Sequence, residues 1–398
     1  MRSSDFTSSA PGRLTKTVGG AVAFVPEPLP TDLDLEVKTV RLLAAAENSL
    51  GRLAGTTARE FNPYLIGSPL LHREAILSSR MEGTITTPEQ LVLLEAESAT
   101  PGRKVSADED TREVRNYISA MHHGLDLLKT LPVSLRLIRE VHGVLMQGVR
   151  GDKEQPGQFR RSQNWIRGRI DDSIENARFV PPPVPEMKEA LDSFEKYLHR
   201  ERSPDADPLL IQLALIHYQF ETIHPFRDGN GRIGRLLLPL LLVERERLDA
   251  PVLYLSAYFE RHRELYVDLL LNLNQTGDWN SWIDFFLAGV HESAGEANRQ
   301  AIALLELRQR YHRQFQKGRS SALLIRLIDR LFQVPSITMG QAAELLDVSH
   351  QAAANNIRKL EGAGILQEIT GQKRNQIFIA NEILAFMHDP IHPGEPEK

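Results

Sequence analysis

Apolar residues recur at the spacing of an α-helix along most of the chain, whereas strand-like runs are few and short. The pattern predicts helices over residues 33–58, 70–82, 109–128, 134–147, 185–198, 208–222 and 282–316, with two more beginning near Pro88 and Gly231. Residues 21–25 are β-prone, and residues 164–166 and 177–180 are expected to pair as a β-hairpin. The first dozen residues, rich in Ser, Thr and Gly, are expected to be disordered. The predicted fold class is therefore mainly α.

The C-terminal end of the chain predicts a small module of its own. Helical segments at 321–332, 340–346 and 349–360 precede β-like runs at 364–369 and 376–380. This order is typical of a winged helix-turn-helix. From Arg326 to Arg374 six basic residues stand against five acidic ones, a balance of only +1, whereas DNA binding usually needs a clear basic face. A winged helix that docks on a protein or dimerises therefore fits as well as one that binds DNA.

These changes in pattern divide the chain into five predicted regions. They are an N-terminal helical region (1–108), a core (109–290), a linking helix (291–319), the winged helix-turn-helix (320–385) and a tail (386–398).

Composition excludes several classes of protein. The chain has no cysteine, which rules out disulfide frameworks, thiolate zinc sites and Cys nucleophiles, and suits a reducing compartment. Its net charge of −5 gives no basic excess to drive binding to nucleic acid or to an anionic membrane. Its apolar runs are far shorter than the roughly 18 residues of a membrane span. The N-terminus lacks the apolar run of a secretion signal. We therefore expect a soluble, cytoplasmic protein without a membrane partner.

One loop, residues 224–235 with the sequence HPFRDGNGRIGR, stands out chemically. It follows one apolar helix and opens another. Gly229 and Gly231 flank Asn230, so the backbone can adopt positive φ angles and present successive N–H groups to an anion. The start of a helix also favours phosphate through its partial positive charge.

Four charged or titratable side chains accompany this phosphate nest. Arg232 and Arg235 are three residues apart and share a helix face, so their two guanidinium groups can bind the same phosphate-bearing ligand. Asp228 is an oxygen donor of the kind that holds Mg²⁺ beside phosphate. His224 can exchange a proton near neutral pH. Together these are the parts of a nucleotidyl or phosphoryl transfer site.

The loop resembles the signature of Fic-domain proteins, His-x-Phe-x-(Asp/Glu)-Gly-Asn-Gly-Arg-x-x-Arg, at every defined position. The stretches GQFRRSQNWI and ARFVPPP, within residues 157–183, resemble the β-hairpin flap of that family. Residues 254–266 resemble its downstream nucleotide-side helix, and AFVPEPLP and REAILSSRMEGT resemble the region before the core in longer bacterial members. The resemblance implies a Fic-fold helical core with a flap.

The resemblance also implies a protein adenylyltransferase, which moves AMP from ATP to a Ser, Thr or Tyr hydroxyl of a protein and releases pyrophosphate. His224 would take the proton of the target hydroxyl, and Asp228 would hold Mg²⁺ bridging the α- and β-phosphates. The phosphates would be held by the following residues: Gly229, Asn230 and Gly231 as the cradle, Arg232 on phosphate oxygens, and Arg235 on the γ-phosphate.

Two further sites are less closely defined. The edge of the flap strand, formed by Ala177, Arg178, Phe179 and Val180, is expected to bind an extended target peptide by β-augmentation, with a purely structural hairpin as the alternative. Candidates for the adenine pocket are His262, Tyr266 and Asn274. The family often has Asn where His262 aligns, and Tyr266 could equally be a core aromatic residue.

The segment from Ser78 to Gly83, SSRMEG, resembles the inhibitory motif (Ser/Thr)-x-x-x-Glu-(Gly/Asn) of self-inhibited Fic proteins. Glu82 lies at the end of a predicted helix, where the helix dipole disfavours a negative charge by roughly 0.3–1 kcal/mol. A pair with Arg235 would offset that cost and occupy the fork meant for the γ-phosphate. A solvated glutamate at a helix end is the alternative.

Several partners and one rival function remain open from the sequence. The expected partners are a protein substrate, a further copy of the chain in a homodimer, and the chain itself as a target of self-modification. Removal of AMP, the reverse reaction, is a further possibility within the family. The rival function is a DNA-binding transcriptional regulator that uses the Fic core as a nucleotide sensor.

Overall fold

The computed structural model describes residues 1–58, 64–98, 108–167, 173–200, 207–316, 321–372 and 375–388. Over these residues the mainly α-helical class is confirmed. The helices, in chain order, are α1 (Val37–Thr57), α2 (Tyr64–Arg80), α3 (Pro88–Ser98), α4 (Glu109–Leu128), α5 (Leu135–Leu145), α6 (Val184–Leu198), α7 (Leu209–Ile223), α8 (Asn230–Glu244), α9 (Ser256–Arg261), α10 (Arg263–Thr276), α11 (Trp279–Phe315), α12 (Ser321–Gln333), α13 (Met339–Leu346), α14 (His350–Gly362) and α15 (Asn381–Leu384).

Five short strands complete the described elements: β1 (Gly12–Lys16), β2 (Val22–Pro26), β3 (Ser336–Thr338), β4 (Gln367–Glu368) and β5 (Ile377–Ile379). Strands β1 and β2 pair antiparallel, with Leu14 opposite Phe24. Strands β3, β5 and β4 form an antiparallel sheet in that order. In the part of the chain that the structure describes, no helix is long and apolar enough to cross a membrane.

The chain divides into two compact units. The first contains residues 1–51, 119–247 and 258–294, and the second contains residues 52–118, 248–257 and 295–398. Helices α1, α4, α9 and α11 each contribute residues to both units.

The helical hairpin of α7 and α8 forms the centre of the first unit. Helix α7 is apolar on nearly all sides and almost every residue of it is buried, as expected of a helix surrounded by core. Helix α8 is equally buried from Arg232 to Leu242. The residues between the two helices, 224–229, are therefore held at both ends by packed core.

The second unit contains α2, α3 and the C-terminal elements. Helices α13 and α14 are separated by Asp347, Val348 and Ser349, and both begin with a side-chain cap. The Thr338 hydroxyl accepts the Gln341 N–H at 3.2 Å, and the Ser349 hydroxyl accepts the Ala352 N–H at 3.3 Å. Strand β3 was not expected, because three residues are too few for a periodic signal. The winged helix-turn-helix stays a prediction, and its expected wing tip, Lys373 and Arg374, lies outside the described residues.

Two expectations about local structure were wrong. The first dozen residues are not disordered, because they contact other residues of the first unit. The Thr7 N–H donates to the Gln275 carbonyl at 2.8 Å, and Gly12 begins strand β1. Residues 254–266 do not form one helix. His262 interrupts them between α9 and α10, as the N-cap of α10 with φ −110°.

Candidate active site

Helix α7 ends at Ile223, and His224 is its C-cap. The backbone of His224 is left-handed, with φ 48°. The His224 N–H still donates to the Phe220 carbonyl, at 3.0 Å. The next carbonyl, that of Glu221, would normally accept from residue 225, but Pro225 has no N–H. The His224 ring takes that place, with Nδ1 at 3.2 Å from the Glu221 carbonyl oxygen.

This contact decides which ring nitrogen of His224 carries the proton. A carbonyl oxygen can only accept, so Nδ1 must be the donor. In the neutral ring Nε2 then keeps its lone pair and can act as a base. The His-Pro pair at the end of α7 thus orients the imidazole for proton abstraction.

The side chain of Asn230 closes the loop between the two helices. Its Oδ1 accepts the Phe226 N–H at 2.8 Å, and its Nδ2 donates to the Phe226 carbonyl at 2.9 Å. Asn230 is 2% exposed, so both polar atoms need such partners. The side chain predicted to contact phosphate therefore shapes the loop backbone, and its contact with phosphate stays a prediction.

The loop enters α8 through Asp228 and Gly229. Gly229 has φ 78°, a conformation that disfavours other residues, and its N–H donates to Asp228 Oδ1 at 2.6 Å. First-turn N–H groups have no acceptor within their own helix, which makes the start of α8 a site for an anion. The Asp228 side chain is 46% exposed and so remains accessible to a ligand.

Arg232 and Arg235 lie on the first two turns of α8 and are 2% and 3% exposed. Arg232 Nη2 lies 3.7 Å from Asp228 Oδ1 and 3.6 Å from Met146 Sδ. Burial of two guanidinium groups beside one helix start concentrates positive charge where phosphate would bind, since charges interact more strongly away from water.

A histidine that the sequence did not single out, His142 on α5, supports the same loop. Its ring stacks on Phe226 with centroids 3.7 Å apart and planes 4° apart. Its Nδ1 accepts the Gly157 N–H at 2.9 Å, so Nε2 carries the proton and donates to the Asp228 carbonyl at 3.0 Å. Burial, helped by the nearby positive charge of Arg232, lowers the pKa of His142 to about 4. The ring is therefore neutral at neutral pH.

Within the described residues, the predicted flap contains one antiparallel bridge, Ile166 with Phe179. The Ile166 N–H donates to the Phe179 carbonyl at 2.8 Å. Residues 168–172, the expected hairpin loop, lie outside the described residues.

The expectation that the flap strand offers an unpaired edge was wrong for two of its carbonyls. The Val180 carbonyl accepts the Phe24 N–H and the Ala177 carbonyl accepts the Met1 amino group, both at 3.0 Å. The side chains of Ala177, Phe179 and Val180 are buried, and Arg178 pairs with Asp268. The N-terminal segment thus occupies part of the edge that a target peptide was expected to use.

Two of the three adenine-pocket candidates lie in the core of the first unit. Tyr266 is 5% exposed, stacks on Phe259 at 4.6 Å, and shares a hydrogen bond of 2.9 Å between its hydroxyl and His217 Nε2. Asn274 Oδ1 accepts the Tyr218 hydroxyl at 2.7 Å. These contacts favour the alternative for Tyr266, a core aromatic residue.

His262 differs from the other two candidates, because its side chain is partly exposed. Its ring lies 4.6 Å from that of Tyr258 and 6.4 Å from that of Phe285. It remains the candidate that a nucleotide could reach.

The inhibitory segment belongs to the second unit. Helix α2 ends at Arg80, and Glu82 follows in a turn in which its N–H donates to the Ser79 carbonyl at 3.0 Å. Glu82 is exposed, whereas Ser78 is fully buried. The pairing of Glu82 with Arg235 stays a prediction.

Over the described residues, no group of three or more His, Asp or Glu side chains could hold a metal ion. Asp228 stands beside the anion site. Mg²⁺ commonly binds one or two carboxylates together with substrate phosphates, so a single accessible carboxylate fits Mg²⁺ that arrives with ATP better than a resident metal.

Two family models match this chain. Residues 132–242 match the Fic/DOC family, and residues 40–126 match the Fic/DOC family N-terminal region. Over 160 residues, 40% of the chain, it is 31% identical to the Protein adenylyltransferase Fic of Drosophila grimshawi and 29% identical to that of Drosophila melanogaster. The chain spans 30% of the length of each of these relatives.

Solved structures agree on the fold. A Fic family protein from Desulfovibrio desulfuricans has a TM-score of 0.56 at 19% identity, covering 88% of this chain and 98% of its own. A Fic domain containing signaling protein from Bacteroides thetaiotaomicron has a TM-score of 0.50 at 19% identity, covering 67% and 97%.

Proposed function

Because this chain belongs to the Fic/DOC family, we propose that it is a protein adenylyltransferase that transfers AMP from ATP to a protein hydroxyl. The observation that carries the proposal is the contact between His224 Nδ1 and the Glu221 carbonyl oxygen. This contact, at 3.2 Å, leaves Nε2 as a base at the entry to an anion-binding helix start. The adenylyltransferases named above support the same chemistry.

The proposed reaction has one bond-forming and one bond-breaking event. The hydroxyl oxygen of a Ser, Thr or Tyr attacks the α-phosphorus of ATP, and its proton passes to His224 Nε2. The bond between the α-phosphorus and the oxygen bridging to the β-phosphate breaks, so pyrophosphate leaves with that electron pair. Arg235 and Arg232 offset the charge on the departing phosphates, while the first-turn N–H groups of α8 hold the α-phosphate in line.

Asp228 is the residue that would bind the Mg²⁺ of Mg·ATP. The ion would supply positive charge to the phosphate oxygens and orient them. His142 donates to the backbone carbonyl of Asp228, and the Gly229 N–H donates to its carboxylate. The carboxylate therefore meets the substrate in a prepared orientation.

Regulation is part of the proposal. Glu82 inhibits the enzyme by pairing with Arg235. The γ-phosphate of ATP then loses its contact with the Arg235 guanidinium, and the α-phosphate is turned away from His224. An exposed carboxylate just after the end of α2 supports this role, because the helix dipole there disfavours a negative charge unless a cation is near. Replacing Glu82 should then release the activity.

Self-modification supplies a test that needs no known target. Full-length wild type, Glu82→Gly and the Glu82→Gly/His224→Ala double variant are incubated with Mg²⁺ and ATP labelled at the α-phosphate. We expect weak labelling of wild type, strong labelling of Glu82→Gly and none of the double variant, which still binds ATP. ATP labelled at the γ-phosphate is the matched control and should label none of them, since pyrophosphate leaves.

Other outcomes decide against parts of the proposal. Equal labelling with and without His224 refutes its role as the base, and equal labelling with and without Glu82 refutes inhibition. Loss of pre-formed label from wild type, but not from Glu82→Gly, would assign the reverse reaction to Glu82. Salt-dependent retention on DNA with no labelling of any variant would favour the DNA-binding regulator.

A further inference from the structure

Arg160, a buried residue in the segment between α5 and α6, donates hydrogen bonds to the end of α7, the helix that positions His224. Arg160 is 2% exposed. Its Nε donates to the His224 carbonyl at 3.0 Å, and its Nη2 donates to the carbonyls of Pro182 at 2.5 Å and Ile223 at 3.5 Å. Its backbone N–H donates to the Pro225 carbonyl at 2.9 Å. The residue thus binds three consecutive carbonyls, those of residues 223, 224 and 225.

Asn164 adds a second set of donors to the same backbone. Its Nδ2 donates to the carbonyls of His224 at 3.2 Å and Phe226 at 2.9 Å, and the residue is 6% exposed. Two acceptors around one atom fix the orientation of the amide, because an oxygen in that place would face two carbonyl oxygens. The His224 carbonyl therefore accepts from both Arg160 and Asn164.

The backbone of His224 needs such support. A left-handed conformation is unfavourable for a residue other than glycine, and His224 has φ 48°. Its carbonyl also belongs to the C-terminal end of α7, where the helix dipole is negative and a buried cation is favoured. Burial lowers the pKa of Arg160 to about 10, so the guanidinium remains charged at neutral pH.

We propose that Arg160 and Asn164 are positioning residues for the catalytic base: they hold the His224 backbone in the left-handed conformation that aims Nε2 at the reacting hydroxyl. This inference rests on the proposed adenylyl transfer, but the conformation of His224 can be measured without it. Without the two donors, the backbone of residue 224 relaxes toward right-handed conformations. The Nδ1 contact with Glu221 is then lost and the ring samples both tautomers.

The first test is spectroscopic and independent of any activity. Long-range ¹H–¹⁵N spectra of histidine-labelled protein, assigned with His224→Gln, report the tautomer of His224. In the full chain carrying Glu82→Gly, we expect the Nδ1–H form to dominate and to be replaced by a mixture in Arg160→Ala and in Asn164→Ala. An unchanged Nδ1–H signal in both variants overturns the proposal, whether or not the protein transfers AMP.

The second test separates positioning from binding. With saturating Mg·ATP, Arg160→Ala should lower the self-labelling rate of Glu82→Gly about 100-fold, the cost of a small misplacement of a catalytic group, while the Kd for ATP changes less than about threefold. Millimolar guanidinium should restore at least part of the rate, because it can enter the vacated space. The exposed neighbour Arg161 supplies the control, and Arg161→Ala should keep the full rate and show no response to guanidinium.

Either of two results of the second test overturns the proposal. One is a self-labelling rate of the Arg160→Ala variant within about twofold of its Glu82→Gly parent. The other is a loss of rate that is matched by an equal loss of ATP affinity and is unaffected by guanidinium. If Arg160→Ala does not fold, Arg160→Lys and Asn164→Ala replace it. Each removes part of the donor set, and each should lower the rate with ATP affinity unchanged. Absence of labelling in Glu82→Gly itself refutes the adenylyl transfer instead and leaves the spectroscopic result to decide the positioning.

Discussion

The neutral state of His142 gives the protein a measurable dependence of stability on pH. In His142→Phe the ring keeps its stack on Phe226, 3.7 Å away, but both ring nitrogens are lost. The Gly157 N–H and the Asp228 carbonyl then lose their partners. A fully buried group left unsatisfied costs about 1–3 kcal/mol. Both of these contacts are only partly buried, so the free energy of unfolding at pH 7 should fall by about 1–3 kcal/mol for the two together.

The pH dependence follows from the pKa of His142, which drops from its usual 6.5 to about 4. At about 1.4 kcal/mol per pKa unit, protonating the ring in the folded state costs roughly 3 kcal/mol more than in the unfolded chain. Between these pH values the unfolded state binds the additional proton, so wild type loses stability as the pH falls. His142→Phe lacks this loss, and the difference between the two proteins should shrink by roughly 2 kcal/mol from pH 7 to 4.5.

Urea unfolding followed by circular dichroism at pH 7, 6, 5 and 4.5 measures this difference. Gly143→Ala is the control, since its added Cβ would lie 3.9 Å from the Gly157 Cα, an ordinary contact, and nothing titratable changes. Its difference from wild type should be the same at every pH. If the wild-type and His142→Phe curves run parallel from pH 7 to 4.5, His142 is not held neutral by the contacts described here.

Two other substitutions test the residues around the site. Tyr266→Phe should lower the free energy of unfolding by about 1–3 kcal/mol in urea titrations, because His217 donates through Nδ1 to the Gly234 carbonyl and its Nε2 would lose its donor. Its ATP affinity, measured by calorimetry, should stay unchanged, and a tenfold weaker affinity would instead place Tyr266 at the adenine. Gly229→Ala should cost roughly 1–2 kcal/mol from the left-handed backbone alone. More is lost because the new Cβ would lie 2.9 Å from Met146 Sδ, and wild-type stability in the same titrations would contradict this reasoning.

Local signals in the sequence were enough to predict most of the helices and the loop between α7 and α8. The helix predicted over residues 109–128 is α4, and the helix predicted to begin near Pro88 is α3. These signals are local: apolar spacing, Pro at the first turn and Gly after the last. The loop was equally readable, because the positive φ of Gly229 and the lost N–H of Pro225 depend only on residue type.

The tertiary structure alone decided which distant side chains meet at that loop. His142 reaches the Asp228 carbonyl from 86 positions earlier, and Arg160 reaches the His224 carbonyl from 64 positions earlier. In the sequence His142 is one residue of an amphipathic helix, and Arg160 is one of two adjacent arginines. The placement of Tyr266 against Phe259 was undecided for the same reason. Periodicity shows which face of an element is buried, but packing between elements decides what that face touches.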